Sequence, residues 1–141
     1  MERIFFDTDV ILDFLLNRQP FSQESAQLLS LSELGKLKVC VSGLTIANCY
    51  YILRRFSTHS NVIKKLSELS EIIEIMDMKS QSVLSAIKSN FKDFEDSLQN
   101  ETAKQDSRIK VLLTRNIKDY KDSELSVMTP DMYLKLYKIN A

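Results

Sequence analysis

The chain has 141 residues, 19 Lys plus Arg against 19 Asp plus Glu, and an apolar fraction of 44%. That length predicts one domain over residues 1–141 whose core needs no disulfide or metal staple. The zero formal net charge excludes a surface built as a general polyanion binder, so any nucleic-acid contact must come from local basic patches.

In chain order, an apolar run ends in an acid at Arg3–Asp7, which reads as a first strand. Thr8–Leu16 carries Val10, Ile11, Phe14 and Leu15 at helical spacing, and Pro20 closes that segment. Ser22–Leu34 predicts a second helix capped by Gly35. Lys38–Val41 is a short strand, Gly43 a turn, and Leu44–Phe56 a helix with Ile46, Tyr50 and Leu53 on one face. Asn61–Leu69 is a further helix, Glu71–Met76 an Ile-rich strand, and Ser80–Phe91 a helix. Asp93 caps a helix from Phe94 to about Gln105, with Asp96 at the capping-box position. The polarity of Gln99–Ser107 leaves the burial of that helix open. Ile109–Leu113 is the clearest strand of the second half, Thr114–Asp122 a loop, and Leu125–Met128 a short last strand. Thr129 and Pro130 start the final helix as cap and first residue.

Strands separated by helices predict a three-layer α/β/α sandwich around a short parallel sheet. Right-handed crossovers then bring Asp7, the Val41–Gly43 turn and Thr114–Asp119 to one sheet edge. In open parallel sheets, ligands bind beyond the carboxyl ends of the strands.

Only two cysteines occur, Cys40 and Cys49. They match no zinc spacing and read as buried thiols of a reducing compartment. No charged leader precedes a signal-length apolar run, and no segment approaches a membrane span. The expectation is a cytoplasmic protein with no membrane partner.

The residues that could carry chemistry are acids. Hydrolysing a phosphodiester without a nucleophilic side chain needs metal ions, and Mg2+ or Mn2+ needs hard oxygen ligands. Asp7, Asp9, Asp13, Asp93, Glu95, Asp96 and Asp119 are available, with amides at Asn48 and Asn116. Two carboxylates at about 5 Å repel by roughly 3 kcal/mol at an effective dielectric near 20. A cluster of three therefore calls for a cation or a protonated member. Each acid also has a bland reading. Asp7 and Asp93 can cap helices, Asp9 and Asp13 read as ordinary first-turn and solvent-facing acids, and Asp119 reads as a turn former. Glu95 and Asp96 suit a first helical turn by dipole alone. His59 reads as a surface residue, and no glycine-rich phosphate loop exists. Arg115, Lys118 and Lys121 flank the acids of the Thr114–Asp122 loop, where a phosphate backbone beside a cleavage point would need neutralising.

Four segments in order resemble the PIN domain family of metal-dependent ribonucleases, which includes toxins of bacterial toxin–antitoxin pairs. They are Phe6–Asp13, Val41–Asn48, Asp93–Gln99 and Leu113–Tyr120. The resemblance implies Asp7, Asp96 and Asp119 as carboxylate ligands of Mg2+ or Mn2+. It implies Asn48 and Asn116 as orienting amides, and Thr114 as a hydrogen-bonding support. The partners implied are RNA, an antitoxin protein and a second copy in a homodimer. Asn48 departs from the family, which carries Glu there, and restoring Glu would be expected to tighten metal binding. Asn116 stands where many members carry Asp, and Asp9 where most carry Asn. The Asn48 departure keeps a second reading open: a PIN-like module that binds RNA or a protein without cleaving. A third reading, a phosphoacceptor domain using Asp77, lacks the Lys it would want near Met128–Pro130.

Overall fold

A computed structural model describes residues 1–140. Five parallel strands form one sheet: β1 (Glu2–Phe6), β2 (Leu37–Ser42), β3 (Glu74–Met76), β4 (Ile109–Leu113) and β5 (Ser126–Met128). Their order across the sheet is β3-β2-β1-β4-β5. The helices are α1 (Thr8–Leu15), α2 (Ser22–Glu33), α3 (Gly43–Leu53), α4 (His59–Ser70), α5 (Ser80–Ile87), α6 (Phe94–Lys104) and α7 (Pro130–Asn140). A 3-10 turn covers Ile117–Tyr120. No helix among the described residues is long and apolar enough to cross a membrane.

The strand period of two divides β1 between two cores. Ile4 and Phe6 face a cluster built with α1, α2, α3, α4 and α7, including Val10, Leu28, Cys49, Leu66 and Tyr133. Phe5 faces the opposite cluster with Cys40, Ala103, Leu112 and Tyr120, which brings α6 and the 3-10 turn over that side. This is the expected three-layer sandwich, with all five strands parallel.

Several boundaries differ from the periodicity. β3 begins at Glu74 because α4 runs to Ser70 and a turn follows. α5 stops at Ile87, where the apolar spacing would have carried it to Phe91; Phe91 instead packs edge-on against Tyr120. α4 begins at His59, capped by the Thr58 side chain at Asn61 N. The polar stretch of α6, whose burial the sequence left open, is enclosed at Gln99, Asn100 and Thr102. Polarity there marks internal hydrogen bonds and not solvent. Gln99 Nε2 donates to Thr8 Oγ1 at 3.0 Å and to Thr45 Oγ1 at 2.8 Å. Its Oε1 accepts from Ser42 Oγ at 2.7 Å. One buried amide in the middle of α6 thus ties together the starts of α1 and α3. Each of its polar atoms has a partner, which offsets the cost of burying them.

Register then aligns the strand ends. Phe6 pairs with Leu113, and Leu113 with Met128. Asp7 N donates to Leu113 O at 2.9 Å, and Thr114 N to Met128 O at 3.0 Å. Asp7 and Thr114 therefore leave the sheet side by side.

Candidate active site

Asp7 sits at the centre of the carboxyl edge and is almost fully buried. Its Oδ1 accepts from Thr8 N at 2.7 Å, so it does cap α1. Its Oδ2 accepts from Thr114 Oγ1 at 2.9 Å. The cap does not exhaust the residue. Burial pushes the Asp7 carboxyl upward against the hydrogen bonds from Thr114, Thr8 and Tyr120, and the Asp119 charge pushes it up further.

α6 brings the next acids. Asp93 caps it by accepting from Asp96 N at 3.0 Å. The Asp96 carboxyl turns to the Tyr120 hydroxyl, which donates to Oδ1 at 3.4 Å. Tyr120 also favours the charged form of Asp7, and burial with the charges of Asp7 and Asp96 raises the Tyr120 hydroxyl. Burial, then the charges of Asp7, Asp93, Asp119 and Glu95, push Asp96 up to about 7. Asp96 and Asp119 line a cavity of about 370 Å³ together with Phe91, Lys92, Asp93, Lys118, Lys121 and Asp122. Asp119, Lys118 and Lys121 are exposed. Asp7, Asp96 and Asp119 are thus brought to one edge, as are Thr114 and Asn116.

The remaining expected residues take other partners. Asn116 Nδ2 donates to Asp9 Oδ2 at 3.2 Å, as does Arg115 N at 3.2 Å. Asp9 is pushed up to about 7 by burial and then by the Asp7 charge. The Arg115 guanidinium does not reach the cavity of Lys118 and Lys121. Its Nε donates to Asp13 Oδ2 at 2.7 Å and its Nη2 to Asp13 Oδ1 at 3.1 Å. It stacks over the Phe21 ring at 4.2 Å. Asp13, read from the sequence as solvent-facing, is 1% exposed and is held by Arg115 and by Arg18 at 3.7 Å. The spacing on α1 could not show this, because Arg115 comes from a loop 102 residues away and Arg18 from the loop beyond the helix end. Asn48 Nδ2 donates to Glu95 Oε1 at 2.7 Å. Tyr120, Gln99 and Thr45, which support the site, had only their places within the family-like segments to mark them. Asp77 follows the edge strand β3 and lines a different cavity with Gln105 and Arg108, away from Asp7.

A metal fits the chemistry of this edge. The donors are hard oxygens, suited to Mg2+ or Mn2+. Asp9 Oδ1 is buried without a hydrogen-bond partner. The raised carboxyls are those a cation would return to charge. Among the described residues no three acidic, His or Cys side chains form a ready-made cage. A cation would have to draw the carboxylates inward against their mutual repulsion.

The family model for the PIN domain matches residues 3–118. The chain belongs to the PIN domain family. Ribonuclease VapC1 of Aquifex aeolicus (strain VF5) is 28% identical over 137 residues, 94% of this chain and 93% of that protein. VapBC-1 from nontypeable Haemophilus influenzae superposes with a TM-score of 0.68 at 18% identity, over 92% of this chain and 98% of that one. A toxin–antitoxin complex from Klebsiella pneumoniae gives 0.64 at 22% identity, over 90% and 97%. These solved structures show the same PIN fold.

Proposed function

We propose that this PIN domain is a Mg2+- or Mn2+-dependent endoribonuclease that cleaves RNA phosphodiesters as the toxin of a toxin–antitoxin pair. The observation that carries the reading is the sheet edge where buried Asp7 at the end of β1 is held by Thr8 and Thr114 while Asp96 of α6 meets the Tyr120 hydroxyl. The naming of a 28% identical relative as a ribonuclease supports it.

Asp7, Asp96 and Asp119 would hold the metal. A divalent ion there supplies a Lewis acid that activates water at neutral pH and offsets charge on the scissile phosphate. The Thr114 hydroxyl and Thr8 N–H fix the orientation of Asp7. Asn116 fixes Asp9 beside it. Lys118 and Lys121, exposed next to Asp96 and Asp119, would meet RNA phosphates. Arg115 would support the loop through Asp13 and would not touch RNA with its guanidinium. The free, buried Cys40 and Cys49 suit action in the reducing cytoplasm. Solved relatives are toxin–antitoxin complexes, and exposed Tyr51, Phe56 and Ile63 in the α3–α4 region offer apolar surface to an antitoxin or a second copy in a homodimer.

The test is cleavage of a panel of RNAs with Mn2+, with Mg2+ and with chelator. Metal-dependent cutting that Asp96→Asn abolishes is expected. No cutting of any RNA by the folded protein at millimolar metal, with RNA still bound, would instead favour the non-cleaving module.

A further inference from the structure

Asn48 and Glu95 meet across the site. Asn48 lies in the second turn of α3 and Glu95 in the first turn of α6. The 2.7 Å bond runs from the Asn48 amide to Glu95 Oε1. Nδ2 is a donor and cannot ligate a cation. In this contact Asn48 presents its amide hydrogens, not a ligand oxygen. The carboxylate at that spot belongs to Glu95.

A glutamate at position 48, which the PIN family usually carries, would send its carboxylate towards the same place. Two carboxylates at that separation would repel strongly, so an acid on α3 at this position and Glu95 on α6 are alternatives. The pair in this chain keeps one negative charge and one neutral donor. Glu95 shares the first turn of α6 with Asp96, whose carboxyl meets the Tyr120 hydroxyl. The Asn48 contact holds the Glu95 carboxylate on the α3 side of that turn. A purely helix-dipole role for Glu95 would need no partner on α3, and Asp96 already fills that role one residue on.

The geometry points to Glu95 as the metal-site carboxylate that replaces the glutamate missing at position 48, with Asn48 as its positioning residue. This rests on the metal-dependent reading proposed above. The acid has moved from α3 to α6 with its place in the site kept, so the Asn48 departure removes no ligand. Restoring Glu at position 48 alone should then harm the site, the opposite of what the sequence suggested.

The test is Mn2+ binding by calorimetry on the full chain, with no RNA present. Five proteins are compared: native, Glu95→Gln, Asn48→Glu, the double exchange Asn48→Glu/Glu95→Gln, and Asp96→Asn. Circular dichroism confirms folding; Glu95 is exposed, so its variant should fold. Glu95→Gln should weaken Mn2+ binding at least tenfold. Asn48→Glu alone should bind no tighter than native and melt lower without metal. The double exchange should return Mn2+ affinity to within about threefold of native, a rescue that a merely structural contact would not give. Native-like binding by Glu95→Gln, or failure of the double exchange to recover, while Asp96→Asn loses binding, overturns the role of Glu95 and leaves the metal reading standing. Absence of Mn2+ binding by the native protein, or native-like binding by Asp96→Asn, removes the metal reading at these residues and this inference with it.

Discussion

Replacing Asp96 with Asn should stabilise the metal-free protein while removing its response to metal. Asp96 is pushed from an ordinary 3.8 up to about 7 by burial and then by the charges of Asp7, Asp93, Asp119 and Glu95. At about 1.4 kcal/mol per pH unit this is at most about 4 kcal/mol. Asp96 is only half-buried, so solvent screening reduces the figure to about 1–2 kcal/mol. The sign follows from proton uptake. A carboxyl raised in the fold favours folding fully below its unfolded pKa near 4, and loses that contribution as pH rises through about 7. Asp9, also raised to about 7, acts in the same window. The native protein without metal should therefore melt higher at pH 5.5 than at pH 7.5. Asp106, held low by hydrogen bonds from Arg108, loses its contribution only below about pH 4 and stays out of this window. At pH 7.5 Asp96→Asn should gain about 3–7 °C, taking an unfolding entropy of about 0.3 kcal/mol/K for a chain of this size. Mn2+ at a hundredfold its dissociation constant should stabilise the native protein by about 2.7 kcal/mol and the variant hardly at all. The assay is a thermal melt at both pH values with and without Mn2+. A variant that melts lower at pH 7.5 and keeps its Mn2+ shift would refute the electrostatic argument.

Replacing Lys118 and Lys121 with Ala should weaken RNA binding and lower its log–log salt slope by up to about 2; an unchanged slope in a salt titration would send RNA elsewhere. Arg115→Ala leaves Asp13 buried with only Arg18 at 3.7 Å, so urea unfolding should show a loss approaching about 3 kcal/mol, and a loss under about 0.5 kcal/mol, the size of an exposed pair, would mean the contact contributes little. Gln99→Leu removes three hydrogen bonds to Thr8, Thr45 and Ser42, whose hydroxyls keep only one another and Thr45 N, and should cost about 1–3 kcal/mol in the same assay, against near-neutrality if the network merely fills space.

The fold was legible because its strands are short apolar runs between helical periodicities, and parallel order follows from that alternation. Asp7 was legible too, as an acid ending an apolar strand. What the sequence hid were contacts made across the chain. Asp13 looks solvent-facing until Arg115, 102 residues later, is seen to hold it. Arg115 sits among lysines in the sequence yet faces away from their cavity. The burial of the polar stretch from Gln99 stayed open because local pattern cannot distinguish water from a buried hydroxyl cluster. The contact between Asn48 and Glu95 was invisible for the same reason: each residue is ordinary on its own helix, and only the fold brings α3 and α6 together.

The most direct measurement is the rate of RNA cleavage across a Mn2+ titration for the native protein and Asp7→Asn. Asn matches Asp in shape; its Oδ1 can still accept from Thr8 N and its Nδ2 can donate to Thr114 Oγ1, so the fold should persist. The native rate should rise with Mn2+ to a plateau and vanish with chelator, while Asp7→Asn should be roughly a hundredfold slower or worse at every concentration, the loss expected when a metal's charge stabilisation is removed. Equal rates in the two proteins, or native cleavage untouched by chelator, would contradict a metal-dependent site built on Asp7.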